Sequence, residues 1–160
     1  MSSKKPRIGI TAGDPAGIGP EIVRAAITNA DVLDSCEPVV FGITDPDEIH
    51  RLGIPVGKVS ARGGELAFKA IEEAVRAAKS GAIDAIATAP INKESLKAAG
   101  VPYIGHTEIL AGLTGAADPL TMFETLSLRV FFLTRHVPLR RACDMVTEER
   151  VYAYLVRCSA

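Results

Sequence analysis

Four short segments place residues that could do chemistry beside glycines or at predicted helix starts. They carry Asp14 in GDPAGIGPE, Lys93 in TAPINKE, His106 with Thr107 in GHTE, and His136 in TRH. An imidazole can move protons or bind a metal near neutral pH, and a hydroxyl can hydrogen-bond a ligand. Each segment follows a predicted strand or opens a predicted helix, and ligands in α/β folds bind at the carboxyl ends of strands.

The glycine-rich segment allows two interpretations. Gly13, Gly17 and Gly19 fit neither the dinucleotide-binding fingerprint nor a P-loop. A strand, a glycine loop and a helix start can still present backbone N–H groups to an anion, although Asp14 would repel a phosphate placed close to it. The alternative is a tight strand-to-helix turn, in which glycines are common.

Each of the remaining candidate residues can also be explained by a purely structural role. Lys93 stands just inside a predicted helix start, where a cation opposes the helix dipole, so it is either functional or simply solvated. His106 and Thr107 either face a ligand together or are a structural histidine beside a helix-capping threonine. His136 ends a predicted strand, where it could bind a metal, but no HxxH or HExxH spacing accompanies it, and a lone histidine is more often structural.

Strands and helices alternate along the chain. We predict strands at 7–11, 38–43 and 83–90, and helices at 21–30, 46–52 (capped by Thr44), 65–80 (closed by Gly81), 92–99 (capped by Asn92, closed by Gly100) and 107–115. MFETLSLRVFFLT predicts two further strands, added antiparallel to the sheet, and the pattern from Pro138 onward is helical. The pattern predicts an α/β fold with a mainly parallel sheet and flanking helices.

Composition excludes several classes of function. The 160 residues are 48% hydrophobic and 23% charged with a net charge of -1, which suits a globular protein and gives no basic surplus for nucleic acid or a membrane surface. The apolar run after the N-terminal lysines is too short for a signal peptide or a membrane span. Three widely spaced cysteines predict free, buried thiols in a reducing compartment, so we expect a cytoplasmic protein.

Three separated segments together resemble one known family. ITAGDPAGIGPEI, AIATAPINKESLKAAGVPYIGHTEILA and LRVFFLTRHVPLR, in this order, are similar to the 4-hydroxythreonine-4-phosphate dehydrogenases of pyridoxal phosphate biosynthesis. Relatives that act on D-threonate and D-erythronate 4-phosphates look similar too. The resemblance covers most of the chain.

The resemblance implies a two-domain fold like that of isocitrate and isopropylmalate dehydrogenases, working as a homodimer. It implies NAD-dependent oxidation and decarboxylation of a small phosphorylated hydroxy acid, assisted by a divalent metal (zinc, cobalt or magnesium). His106 and Thr107 match the family's substrate-contacting pair, and His136 matches the first of its three metal histidines. Asp14 and Lys93 match positions that line the same cleft.

Two departures from the family pattern bear on these expectations. The family is about twice as long as this chain, and its second half supplies the other metal histidines, the phosphate-binding residues and most NAD contacts. The stretch between Arg51 and Gly63 is also shorter than its counterpart. We expect the chain, residues 1–160, to be the N-terminal portion of a two-domain enzyme. The alternatives are a non-catalytic fragment that keeps the fold, and a phosphate-binding module that uses the glycine loop.

Overall fold

The computed structural model describes residues 4–117, 119–135 and 137–159. The elements, in chain order, are β1 (Arg7–Thr11), α1 (Gly19–Thr28), α2 (Ala30–Ser35), β2 (Glu37–Phe41), α3 (Pro46–Arg51), α4 (Ala61–Lys79), β3 (Ala85–Thr88), α5 (Lys93–Ala98), α6 (His106–Thr114), β4 (Met122–Thr125), β5 (Leu128–Phe131), α7 (Leu139–Asp144) and α8 (Glu148–Cys158). The chain divides into two compact units between Ala116 and Ala117.

The first unit contains a three-stranded parallel sheet in the order β2-β1-β3. The central strand, β1, alternates between faces: Gly9 and Thr11 are buried, whereas Ile8 and Ile10 are half-buried. Helix α4 contacts all three strands. The predicted parallel sheet with flanking helices is therefore confirmed.

The core of the first unit lies between three helices. Ile71 and Val75 of α4 pack with Leu96 of α5 and Ile109 of α6, and all four side chains are buried. Burying side chains of this size contributes about 1.5–3 kcal/mol each, which is enough to hold α5 and α6 against α4. This packing fixes the positions from which α5 and α6 begin.

Helix α4 begins four residues earlier than predicted. Ser60 is its N-cap, and the Ser60 hydroxyl accepts a hydrogen bond from the backbone N–H of Gly63 at 3.1 Å. Gly63 and Gly64 are weak helix formers, which is why the apolar periodicity did not reveal this first turn. A Cβ atom on Gly64 would lie 2.1 Å from the backbone oxygen of Ser95, so this glycine lets α5 approach α4 closely.

Two other helix boundaries differ from the prediction. The helix predicted over 21–30 is α1, which ends at Thr28 because Asn29 adopts an extended backbone, and the Asn29 side chain caps a further helix, α2, that was not predicted. The N-cap of α3 is Asp45 and not the predicted Thr44. The Asp45 carboxylate accepts a hydrogen bond from the N–H of Asp47.

The second unit contains an antiparallel hairpin and two helices. Strands β4 and β5 pair with each other, from Met122 opposite Phe131 to Thr125 opposite Leu128. Among the described residues they form a sheet of their own and do not extend the parallel sheet, so that part of the prediction was wrong. The helical prediction beyond Pro138 is confirmed by α7 and α8.

The three cysteines are free, as predicted, but they are not buried. Cys143 is exposed on α7, and Cys36 and Cys158 are of intermediate exposure, because each lies on or beside a helix with a largely solvated surface. Separately, none of the helices in the described part of the chain is both long and apolar enough to cross a membrane.

Candidate functional site

The loop after β1 is held by hydrogen bonds within the protein. The N–H of Asp14 donates to the Pro90 carbonyl at 3.0 Å, and the N–H of Gly17 donates to the Asp14 carbonyl at 2.9 Å. The N–H of Ala16 donates to the Asp14 carboxylate at 2.8 Å. Since these three donors are already used, the geometry favours the tight-turn interpretation over a phosphate-binding loop.

Asp14 is almost fully enclosed. It is 3% exposed, and its Oδ1 would lie 2.6 Å from a Cβ atom on Gly63. The start of α4 therefore contacts the Asp14 carboxylate, where the helix dipole favours a negative charge. The structure thus gives Asp14 a role in shaping the loop.

Lys93 is the first residue of α5 and is exposed. Asn92 caps this helix, with its Oδ1 accepting from the N–H groups of Glu94 at 2.9 Å and Ser95 at 3.0 Å. The predicted cap at Asn92 and the left-handed glycine at Gly100, with φ of 72°, are both confirmed. The cap fixes the direction in which the Lys93 side chain leaves the helix.

His106 is the first residue of α6. The N-cap of this helix is Gly105, without a side-chain cap, so the prediction that Thr107 caps the helix was wrong. Thr107 lies one residue further in, within the first turn, and is half-buried. Its hydroxyl is therefore not committed to the capping role, which leaves the ligand-facing interpretation open.

The His106 ring is partly desolvated. Burial lowers the pKa of His106 below its usual 6.5, and a hydrogen bond with the backbone of Ala89 opposes that shift. The Nε2 atom of the ring is buried and has no hydrogen-bond partner among the described residues. The ring is therefore largely neutral at pH 7 and has one nitrogen available for a ligand.

The segment after β3 brings the candidates of the first unit together. Ala89 contacts His106, and Pro90 accepts from Asp14. The Lys93 side chain reaches the residue before His106, since its Cε would lie 3.9 Å from a Cβ atom on Gly105. Asp14 and His106 therefore both lie against the segment that follows β3, and Lys93 lies beside the residue that precedes His106. Sequence reasoning missed Ala89, although it lies within the TAPINKE segment.

His136 lies outside the described residues, so its predicted metal role stays a prediction. Over residues 4–117, 119–135 and 137–159, no group of three or more His, Cys, Asp or Glu side chains is placed to hold a metal ion. The described residues therefore do not by themselves form a metal centre.

Comparison with known proteins identifies the family. Residues 18–160 match the family model described as "Pyridoxal phosphate biosynthetic protein PdxA". The chain belongs to the PdxA family. A protein of Clostridium botulinum (strain Hall), provisionally named a D-threonate 4-phosphate dehydrogenase, is 46% identical over 194 aligned residues, which cover 99% of this chain and 58% of that protein. A relative of the same name from Halalkalibacterium halodurans is also 46% identical, over 98% of this chain and 57% of its own length.

Solved structures agree with this assignment. A 4-hydroxythreonine-4-phosphate dehydrogenase from Burkholderia phymatum has a TM-score of 0.82 and 35% identity, over 97% of this chain and 57% of that one. The enzyme of the same name from Klebsiella pneumoniae has a TM-score of 0.80 and 34% identity, over 92% of this chain and 56% of that one.

The chain spans somewhat more than half the length of these relatives. The stretch aligned with the Clostridium relative, 194 residues, is longer than the 160 residues of this chain, so that relative carries internal residues which this chain lacks. That difference agrees with the prediction that this chain has a shorter internal segment than the family. Its position between Arg51 and Gly63 stays a prediction.

Proposed function

We propose that this chain is part of an NAD-dependent dehydrogenase that oxidises, with decarboxylation, a four-carbon hydroxy acid carrying a 4-phosphate. The observation that carries the proposal is the match of residues 18–160 to the PdxA family, whose similar members are named as dehydrogenases of such acids. The contact of His106 with the backbone of Ala89, just beyond the carboxyl end of β3, supports it, since ligands of α/β folds bind at the carboxyl ends of strands.

The first substrate that we propose is D-threonate 4-phosphate. The relatives with that name are 43% to 46% identical to this chain, whereas the solved structures named 4-hydroxythreonine-4-phosphate dehydrogenase are 32% to 35% identical. The second candidate is 4-hydroxythreonine 4-phosphate, the substrate named for those structures and the one that the sequence resemblance implies.

His106 and Thr107 would hold the substrate. A neutral imidazole with an unpartnered, buried Nε2 can hydrogen-bond a substrate hydroxyl, and a partly desolvated site strengthens that bond. The Thr107 hydroxyl, half-buried in the same helical turn, would contact the same molecule. Together they would orient the alcohol that is oxidised.

NAD and a divalent metal (zinc, cobalt or magnesium) are part of the proposal because the family resemblance implies both. The described residues supply no set of three metal ligands, and His136 lies outside them, so we derive no step through a metal. We also propose that the protein is a homodimer, as the resemblance implies, and that it works in the cytoplasm, as the unpaired cysteines indicate.

The proposal is tested by following NADH formation by the intact protein with each of the two phosphorylated acids, with and without a metal chelator. We expect metal-dependent turnover, with kcat/KM at least about tenfold higher for D-threonate 4-phosphate, a preference worth about 1.4 kcal/mol. The reverse preference would favour 4-hydroxythreonine 4-phosphate. Absence of turnover with both acids would support the non-catalytic alternative.

A further inference from the structure

The packing of the fold does not require a glycine at position 105. Gly105 has φ of -172° and ψ of -171°, an extended backbone that any residue adopts. A Cβ atom there would meet Oε2 of Glu108 at 3.6 Å and Cε of Lys93 at 3.9 Å, which are ordinary contacts. At Gly19, by contrast, a Cβ atom would lie 2.1 Å from the backbone oxygen of Ala12. Packing thus demands glycine at 19 but not at 105.

The groups around the space beside Gly105 are chemically complementary to a hydroxy acid. Lys93 Cε and Glu108 Oε2 both lie within 4 Å of the position that a Cβ atom on Gly105 would occupy, and His106 is the next residue in the chain. Lys93 is exposed, and it forms no hydrogen bond or ion pair with any residue that the structure describes. An ammonium binds anionic oxygens, and a carboxylate accepts hydrogen bonds from hydroxyl groups.

We propose that Lys93 is a specificity-determining residue that binds an anionic group of the substrate, its carboxylate or its phosphate, in the space beside Gly105. Glu108, whose Oε2 also lies near Gly105, accepts a hydrogen bond from a substrate hydroxyl there. This assignment rests on the proposed function for the class of substrate. The missing side chain at Gly105 keeps the space free for the substrate atoms that join these two groups.

The test measures binding to the intact protein by calorimetry without NAD, so that no turnover is needed. Three probes are used: D-threonate 4-phosphate, D-threonate, which lacks the phosphate, and D-threitol 4-phosphate, which lacks the carboxylate and keeps the configuration. Lys93→Met should weaken binding of the phosphorylated acid about tenfold or more, the loss typical of one charge-assisted hydrogen bond. Lys93→Arg, which keeps the charge, should restore much of it.

The two smaller probes tell which anionic group Lys93 binds. A loss with D-threonate alone assigns the carboxylate, and a loss with D-threitol 4-phosphate alone assigns the phosphate. Lys97→Met is the matched control, because Lys97 is an exposed lysine on the same helix, and it should leave all three affinities unchanged. Equal losses in Lys93→Met and Lys97→Met, or no loss in either, would overturn the proposal, as would a wild-type protein that binds none of the probes.

A second variant tests the space itself. Gly105→Ser adds a side chain where the structure shows only ordinary contacts, and serine is a good N-cap, so thermal unfolding should not change. Binding of D-threonate 4-phosphate should weaken about tenfold or more because the hydroxymethyl group occupies the space. Unchanged affinity would contradict the assignment. If the wild-type protein turns the acid over and Lys93→Met binds it as tightly as the wild type does, this subsite alone is refuted. If the probes bind but neither acid is turned over, the proposed dehydrogenase activity alone is refuted.

Discussion

At the scale of residues, the interpretation of the candidate site depends mainly on the imidazole ring of His106. From the sequence alone, a structural role and a ligand-binding role for this histidine are equally well supported. The structure adds two facts: the ring contacts the backbone of Ala89, and its Nε2 is buried without a partner among the described residues. A buried polar atom without a partner costs free energy, and a bound hydroxyl would remove that cost.

The lowered pKa of His106 predicts how the stability of the protein depends on pH. Because the folded-state pKa lies below 6.5, the folded protein binds fewer protons at this ring than the unfolded chain. The stability contributed by the neutral ring is present above pH 6.5 and is lost as the pH falls through the folded-state pKa. His106→Asn removes this titration. Urea unfolding at a series of pH values should therefore show a smaller loss on acidification for the variant, and an equal loss would contradict the pKa direction.

At the scale of the elements, the glycines of the loop between β1 and α1 differ sharply in what they permit. A Cβ atom on Gly19 would lie 2.1 Å from the Ala12 carbonyl oxygen, whereas one on Gly17 would lie 3.4 Å from the Asp14 carbonyl oxygen. Gly19→Ala should destabilise the protein by about 1–3 kcal/mol through backbone displacement. Gly17→Ala, its matched control two residues away, should stay within about 0.5 kcal/mol of wild type.

Urea denaturation of both variants checks this prediction. Equal stabilities would show that the loop relaxes freely and that the close approach of α1 to the end of β1 is not needed. A destabilised Gly17→Ala would show instead that the turn around Asp14 is tighter than the geometry indicates.

Two asparagine residues cap helices, and replacing each in turn distinguishes an effect on stability from an effect on ligand binding. Asn29 and Asn92 each accept hydrogen bonds from two backbone N–H groups, at the starts of α2 and α5. Replacing either with alanine should cost about 0.5–2 kcal/mol of unfolding free energy. Only Asn92→Ala should also weaken binding of D-threonate 4-phosphate, because it loosens the turn that carries Lys93. Equal binding losses in both variants would contradict this difference.

The elements most readily predicted were those with strong local signals. β1, the caps at Asn92 and Gly81, and the helices beyond Pro138 all follow from periodicity or capping residues. The early start of α4 did not, because Gly63 and Gly64 have low helix propensity, and their place in a helix depends on the close approach of Asp14 and Ser95. Such contacts between distant parts of the chain leave no local pattern.

The site could be predicted only in part for the same reason. Its candidate residues were identifiable from the segments that carry them, but their grouping depends on the loop after β3. The contact of His106 with Ala89 and the approach of Lys93 to Gly105 join residues far apart in sequence. The separate pairing of β4 with β5 was also missed, because strand periodicity does not state which sheet a hairpin joins.

At the scale of the whole molecule, the chain spans somewhat more than half the length of its relatives. The described residues hold no cluster of metal ligands. Calorimetric titration of the 160-residue chain with zinc should therefore show no tight stoichiometric site. A single histidine ligand, the predicted His136, would leave most coordination positions of the metal to water. Tight one-to-one binding would contradict this expectation and would call for ligands outside the described residues.

We propose that the protein is a dehydrogenase of a 4-phosphorylated hydroxy acid whose substrate is held by His106. The most direct measurement is NADH formation from D-threonate 4-phosphate and from 4-hydroxythreonine 4-phosphate, by the intact wild-type protein and by His106→Asn. We predict turnover of at least one acid by the wild type, and a kcat/KM lower by about 10-fold to 100-fold in the variant. No turnover of either acid, or turnover that His106→Asn leaves unchanged, would contradict the account.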